Sequence, residues 1–159
     1  MTPFRIGHGY DIHRLRAGRK LILGGETIDF HLGLDGHSDA DVVCHAVMDA
    51  LLGGLALGDI GVHFPNTDPT WKDANSIELL RHAGRLIKKE SYQIANIDVT
   101  IIAEKPKLGP HIPGMIANIS KALDIDSNCV SIKATTNEGV GFIGRGEGIA
   151  AFSVALLYK

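Results

Sequence analysis

Asp11-Ile12-His13 sets a carboxylate and an imidazole two residues apart, and a second imidazole, His45, follows in a different segment. Phe4 to His13 alternates towards a strand. Residues two apart on a strand project from one face, so Asp11 and His13 can converge. His45 stands one helical turn after Asp41 and one turn before Asp49, and the three form a polar stripe beside an apolar one. Alone, such a stripe is an ordinary solvated helix face. Brought beside Asp11 and His13, it becomes a metal site. Two imidazoles and one carboxylate with a fourth position open suit zinc, a borderline-soft ion that accepts both donor types and leaves room for substrate. Cys44 is the rival ligand, but neighbouring helix positions point about 100° apart, which assigns it to the core. His8, His31, His63, His82 and His111 are read as ordinary polar residues.

The elements that must carry these residues follow from the pattern. The run Leu21 to Ile28 holds a Gly24-Gly25 turn between two β-prone stretches, the mark of a hairpin. Ser38 and Asp39 precede a helix expected over Ala40 to Leu52, with Val43, Val47, Ala50 and Leu51 at helical spacing and Gly53-Gly54 as its stop. A second helix is expected over Ser76 to Glu90, its stripe made of Ile77, Leu80, Gly84 and Ile87. Ile94 to Ala103 reads as a strand, Pro113 to Leu123 as a helix, and Val130 to Thr135 and Gly148 to Leu157 as strands. This order lacks regular βαβ alternation and predicts an α+β fold, a sheet covered by helices on one face.

Length and composition bound the rest. The 159 residues fit one domain, 1-159, with no repeat or linker dividing it. With 45% hydrophobic and 21% charged residues and a net charge of -2, the chain reads as globular. Arg81 to Lys89, the richest basic cluster, is interleaved with apolar residues, so nucleic acid is not an expected partner. Ile149 to Tyr158, the longest uncharged apolar run, is far short of the ~20 residues that cross a bilayer, so no membrane span is expected. The start carries no signal-like or transit-like pattern, which points to the cytoplasm, or to a plastid-type organelle had an upstream segment been removed. Cys44 and Cys129 sit in apolar stretches and are expected to be buried free thiols. Gly139-Val140-Gly141-Phe142-Ile143-Gly144 satisfies GxGxxG literally. The dinucleotide reading fails, because a strand pattern follows it where a helix is required.

Several motifs in order carry a resemblance. They are Gly7-His8-Gly9-Tyr10-Asp11-Ile12-His13, His37-Ser38-Asp39-Ala40-Asp41, Leu57-Gly58-Asp59-Ile60-Gly61, Asp98 to Ala103, Pro106-Lys107-Leu108, Lys133 to Glu138 and Gly144 to Gly148. Together they resemble the 2-C-methyl-D-erythritol 2,4-cyclodiphosphate synthase family over essentially the whole chain. The resemblance implies a ferredoxin-like domain assembled as a homotrimer, with active sites between neighbouring subunits. It also implies a ring closure, in which the 2-phosphate of a cytidine diphosphate derivative of methylerythritol attacks its own β-phosphate and expels CMP.

Roles are implied residue by residue. Asp11, His13 and His45 match the zinc ligands, and Glu138 matches a residue that helps hold a magnesium or manganese ion on the diphosphate. His37 and Ser38 match contacts to the methylerythritol phosphate end, while Thr135 and Thr136 offer hydroxyls and amides to the diphosphate. His37, Ser38, Thr136 and Glu138 form the expected catalytic set. Nucleotide choice is assigned to Asp59, Gly61, Ala103, Lys107 and Leu108, and with Thr135 and Thr136 the residues Ala134, Phe142 and Arg145 complete the substrate-binding set. Arg145 lies where trimers direct basic side chains into a central cavity able to take a diphosphate-bearing ligand. Two positions depart from the family pattern: Phe152, where many relatives carry a polar or acidic residue, and Asn66, which replaces a common Asp. The substrate carries roughly four negative charges, so local cations must hold its two phosphates together. A zinc-dependent phosphohydrolase that makes hydroxide at the open position, and a non-catalytic scaffold, are the rival readings.

Overall fold

Alternation along the first strand decides how the sheet is clothed. In β1 (Phe4–Arg16) the even positions from Phe4 to Tyr10 are exposed while Gly7 and Gly9 are buried. One face of the strand therefore packs inward and the other stays open. The computed structural model describes residues 3–65 and 67–159, so Asn66 lies outside the described residues. After β1 come β2 (Leu21–Leu23), β3 (Glu26–Ile28), β4 (Gly33–Leu34), α1 (Val42–Gly54), α2 (Ile60–His63) and α3 (Ser76–Lys89). Then follow β5 (Gln93–Ile102), α4 (Ile112–Leu123), β6 (Val130–Thr135), α5 (Gly141–Gly144) and β7 (Gly148–Tyr158).

Five strands form one mixed sheet in the order β4-β1-β7-β5-β6. β7 runs antiparallel to β1, with Phe4 opposite Tyr158 and Arg14 opposite Gly148, and antiparallel to β5 on its other side. β5 and β6 are parallel, and α4 supplies the crossover that a parallel pair requires. β2 and β3 pair separately across Gly24 and Gly25, whose φ values of 55° and 73° are what a tight hairpin turn demands.

α1 touches β1, β7 and α3 and is buried almost all round, as an apolar helix between two layers must be. α3 is two-faced: Leu80, Ala83, Gly84 and Ile87 are buried, while Glu78, Arg85 and Lys88 are exposed. The open sheet face displays Ile6 at 72% exposure, Phe4 at 60%, Val154 at 44%, Tyr10 at 43% and Phe152 at 38%.

Three local expectations are corrected. α1 begins at Val42 because Asp41 is its cap, its carboxylate accepting from Val43 N and Cys44 N, while Ala40 sits at φ 58° outside the helix. β1 continues to Arg16 because β4 pairs with Leu15 and Arg16. Cys44 is buried, but Cys129 ends a 3-10 turn and is only half-buried; both thiols are free. Among the described residues, no helix is long and apolar enough to cross a membrane.

Candidate functional site

Glycine lets the helix reach the strand. A Cβ built at Gly7 would stand 1.7 Å from Ala50 O, and one at Gly9 would stand 1.9 Å from Ala46 O. The backbone of α1 therefore rests directly on that of β1, an approach that any larger side chain forbids. His45, 6% exposed, is thereby set against the inward side of β1, where Asp11 and His13 also point.

The three side chains converge on one oxygen. His45 Nδ1 lies 2.8 Å from Asp11 Oδ2, and His13 Nε2 lies 3.1 Å from the same atom. One ligand atom from each of Asp11, His13 and His45 falls within 4.8 Å of the others, the only such group among the described residues. Ligands on a tetrahedron at about 2.1 Å from zinc stand about 3.4 Å apart, so these atoms sit near the required spacing. The outer face of each ring is also engaged. His13 Nδ1 lies 2.5 Å from the Asp35 carbonyl, and His45 Nε2 lies 3.0 Å from Ser76 Oγ and 3.2 Å from Ser38 Oγ. A histidine ligand held from behind in this way keeps its inner nitrogen aimed at the ion. The donor set thus fits a zinc-type cation.

Burial opposes charge on Asp11, but hydrogen bonds and the charges of His13 and His45 outweigh it and hold the carboxyl well below the usual carboxylate range. Burial likewise works against a charged His13, yet its hydrogen bond to Asp11, the Asp11 charge and the Asp35 carbonyl raise its pKa above the ordinary imidazole value.

The expected polar stripe on α1 divides. Asp41 is wholly buried and accepts from Gly24 N at 2.9 Å and Gly25 N at 2.7 Å as well as capping α1, so it ties the hairpin turn to the helix. Burial pushes its carboxyl up, against the hydrogen bond from Gly25 N. Asp49 accepts from Ile60 N at 2.8 Å and holds α2. Only His45 joins the cluster. Sequence reasoning placed Asp39 before the first helix and Ser76 at the start of the next, but gave neither a part in this site. The Ser76 hydroxyl donates to Asp39 Oδ1, and the Ser76 amide donates to Asp39 Oδ2 at 2.9 Å. A serine at the start of a helix looks like a cap, and nothing in its spacing signals His45.

The other expected residues fall in separate places. Ala103, Lys107, Leu108, Ala134, Thr135 and Thr136 line one cavity of about 280 Å³ at the C-terminal ends of the parallel pair β5 and β6. Crevices beyond the carboxyl ends of parallel strands are common ligand sites. Glu138 follows at φ 51°, its amide donating to Thr136 Oγ1 at 3.2 Å. Asp59 caps α2, accepting from Val62 N at 3.1 Å, and Gly61 lies within that helix. Phe142 shares a cavity of about 460 Å³ with His13 and Glu147. Arg145 Nε donates to Glu147 Oε1 at 2.7 Å. His37 is half-buried, its carbonyl accepting from Asp73 N at 3.0 Å.

Sheet register measures the gap between the two halves. Asp11 pairs with Ala151, Ala151 with Ile101, and Ile101 with Ala134. The metal cluster and the β5–β6 cavity therefore lie in one row, three strand spacings or about 14 Å apart.

Comparison with known proteins places this architecture among relatives. The sequence profile of the YgbB family matches residues 4–158. A 2-C-methyl-D-erythritol 2,4-cyclodiphosphate synthase of Synechocystis is 60% identical over 159 residues, covering 100% of this chain and 99% of that protein. One of Clostridium perfringens is 59% identical over 155 residues, covering 98% of this chain and 99% of that protein. A solved structure of IspF from Plasmodium falciparum in complex with CDP superposes with a TM-score of 0.88 at 38% identity, covering 99% of this chain and 97% of that one.

Proposed function

The chain belongs to the YgbB family, and from that premise we propose that it converts 4-diphosphocytidyl-2-C-methyl-D-erythritol 2-phosphate to 2-C-methyl-D-erythritol 2,4-cyclodiphosphate and CMP, a lyase step in isoprenoid precursor synthesis. An oxygen of the 2-phosphate forms a bond to the β-phosphorus. The bond from that phosphorus to the bridging oxygen breaks, and CMP leaves with the electron pair. The observation that carries the reading is the convergence of His13 and His45 on Asp11 Oδ2.

Each residue then has work that its position permits. Asp11, His13 and His45 would hold a zinc ion, which when bound would supply a Lewis acid for a phosphate oxygen. Ser38, beside His45, and His37, next to it in the chain, take the methylerythritol phosphate end. Thr135 and Thr136 face the diphosphate from the β5–β6 cavity, and Lys107 adds a cation there. Glu138 offers one hard oxygen towards a magnesium or manganese ion on the diphosphate. Ala103 and Leu108 line the cytidine end, with Ala134 beside them; Asp59 and Gly61 belong to the same nucleotide set. Phe142, at the cavity it shares with His13, closes the substrate side. The reaction needs these groups to hold two repelling phosphates in line, which is where most of the acceleration in phosphoryl transfer arises.

The same reading makes the ferredoxin-like sheet one third of a homotrimer in the cytoplasm, with each active site shared between neighbours. Two observations support this: the open apolar sheet face, and the span of about 14 Å that separates the metal cluster from the nucleotide cavity on one chain. Phosphorus NMR of the zinc-loaded protein with substrate tests it. A cyclic diphosphate and CMP are the expected products, and linear methylerythritol bisphosphate alone means a hydrolase. His45→Ala is expected to keep the fold and trimer but to lose zinc and turnover. Unchanged turnover by that variant without metal ends the reading.

A further inference from the structure

His45 reaches the metal cluster through Nδ1, and its opposite nitrogen meets two hydroxyls. Which ring nitrogen carries the proton decides whether this histidine can ligate at all, because only the unprotonated nitrogen has a lone pair to give. The hydrogen-bond inventory around it determines the answer.

Asp39 is an acceptor three times over. Its Oδ2 takes the Ser76 amide at 2.9 Å, and its Oδ1 takes the Ser76 hydroxyl and the Asp41 amide, the latter at 3.2 Å. An ionised carboxylate has no proton to return, so the one proton of the Ser76 hydroxyl is committed to Asp39. Ser76 Oγ, fully buried and 3.0 Å from His45 Nε2, can then only accept from it. Nε2 is therefore the protonated nitrogen. Nδ1, 2.8 Å from Asp11 Oδ2, is the nitrogen turned towards the metal position.

We propose that Ser76, oriented by Asp39, is a positioning residue that fixes the Nε2–H form of His45 and so readies Nδ1 for the metal ion. The inference rests on the zinc reading of Asp11, His13 and His45, and extends it to a loop and a helix that hold none of the ligands. Asp39 precedes α1 and Ser76 opens α3, so the contact also couples the third helix to the ion. Loss of such a partner behind a ligating histidine typically costs 10–100-fold in metal affinity or activity. Ser38 Oγ accepts from the Ala40 amide at 3.1 Å and serves as a second, more distant acceptor for the same Nε2–H.

The test is spectroscopic and needs no turnover. Protein labelled with ¹⁵N-histidine is freed of metal and held at about pH 9, above the ordinary imidazole range. Two-bond ¹H–¹⁵N correlation is expected to show Nε2 of His45 protonated. A bare Nε2 in the parent protein overturns the proposal. Ser76→Ala is then compared with the parent by competition for zinc against a chromophoric chelator, each first shown folded by circular dichroism. A loss of about 10–100-fold supports the proposal, and parental affinity in the folded variant overturns it. Should Ser76→Ala fail to fold, the tautomer of the parent decides alone. Failure of the parent itself to bind zinc would instead strike the zinc reading, while the metal-free tautomer still judges the role of Ser76.

Discussion

One carboxylate oxygen serves two imidazoles, and that sharing sets how the site answers to protons. Asp11 is held below the usual carboxylate range, so its contribution to stability is present above its unfolded value of 3.8 and fades only as acid reaches its lower folded value. His13 is raised, so its contribution is complete below its unfolded value of 6.5 and is lost as pH climbs through the higher folded value. The metal-free protein is therefore expected to lose melting temperature as pH rises above 6.5 and through the higher folded value of His13. Zinc reverses the trend over the same window, because ligation requires bare imidazoles and strengthens as protons leave. Calorimetric melts with and without zinc check this; parallel curves would contradict it. Asp11 and His13 were legible in the sequence because strand periodicity alone pairs them, and His45 was legible as a member of a helical stripe. Asp41 and Asp49 in the same stripe went elsewhere, since a buried carboxylate goes where backbone amides can satisfy it. Ser76 is 31 positions from His45, and no local pattern encodes such a meeting.

Among the elements, the contact between α1 and β1 matters most, because it carries one ligand to the other two. Gly9→Ala would place a methyl 1.9 Å from Ala46 O, against backbone that cannot turn aside as a side chain can. The expected result is a loss at or beyond the upper end of about 1–3 kcal/mol by urea unfolding, together with weakened zinc binding as His45 is lifted away. Parental stability and affinity would show that the helix can be displaced at no cost. Most element positions followed from periodicity: the hairpin about Gly24-Gly25, the apolar stripe of α3, and the β-branched run of β5 all lie where the pattern put them. The boundaries that slipped did so for tertiary reasons. Leu15 stands at an odd position where Ile6 and Ile12 stand at even ones, a break of phase that hides the end of the strand, yet partners on both sides extend the ladder, with β4 taking Leu15 and Arg16 and the Glu147 carbonyl accepting from Leu15 N at 3.0 Å.

For the whole molecule, the open sheet face is the feature to test. Ile6 is 72% exposed, so charge placed there costs the single chain little while spoiling any apolar contact built across the face. Ile6→Asp is expected to sediment as a monomer with a parental circular dichroism spectrum and most of its turnover gone. A trimer of parental activity would place the interface elsewhere. The alternation of β1 already encodes this second apolar face, whereas what covers it is not written in the pattern of a single chain. The pairing of the first strand with the last has its own consequence for how the protein comes into being. During synthesis β1 emerges early but lies beside β7, so it has no long neighbour until residue 158 has left the ribosome. Closing so distant a pairing raises the contact order of the domain and slows its folding, and until it closes the edge of the first strand lacks its long partner.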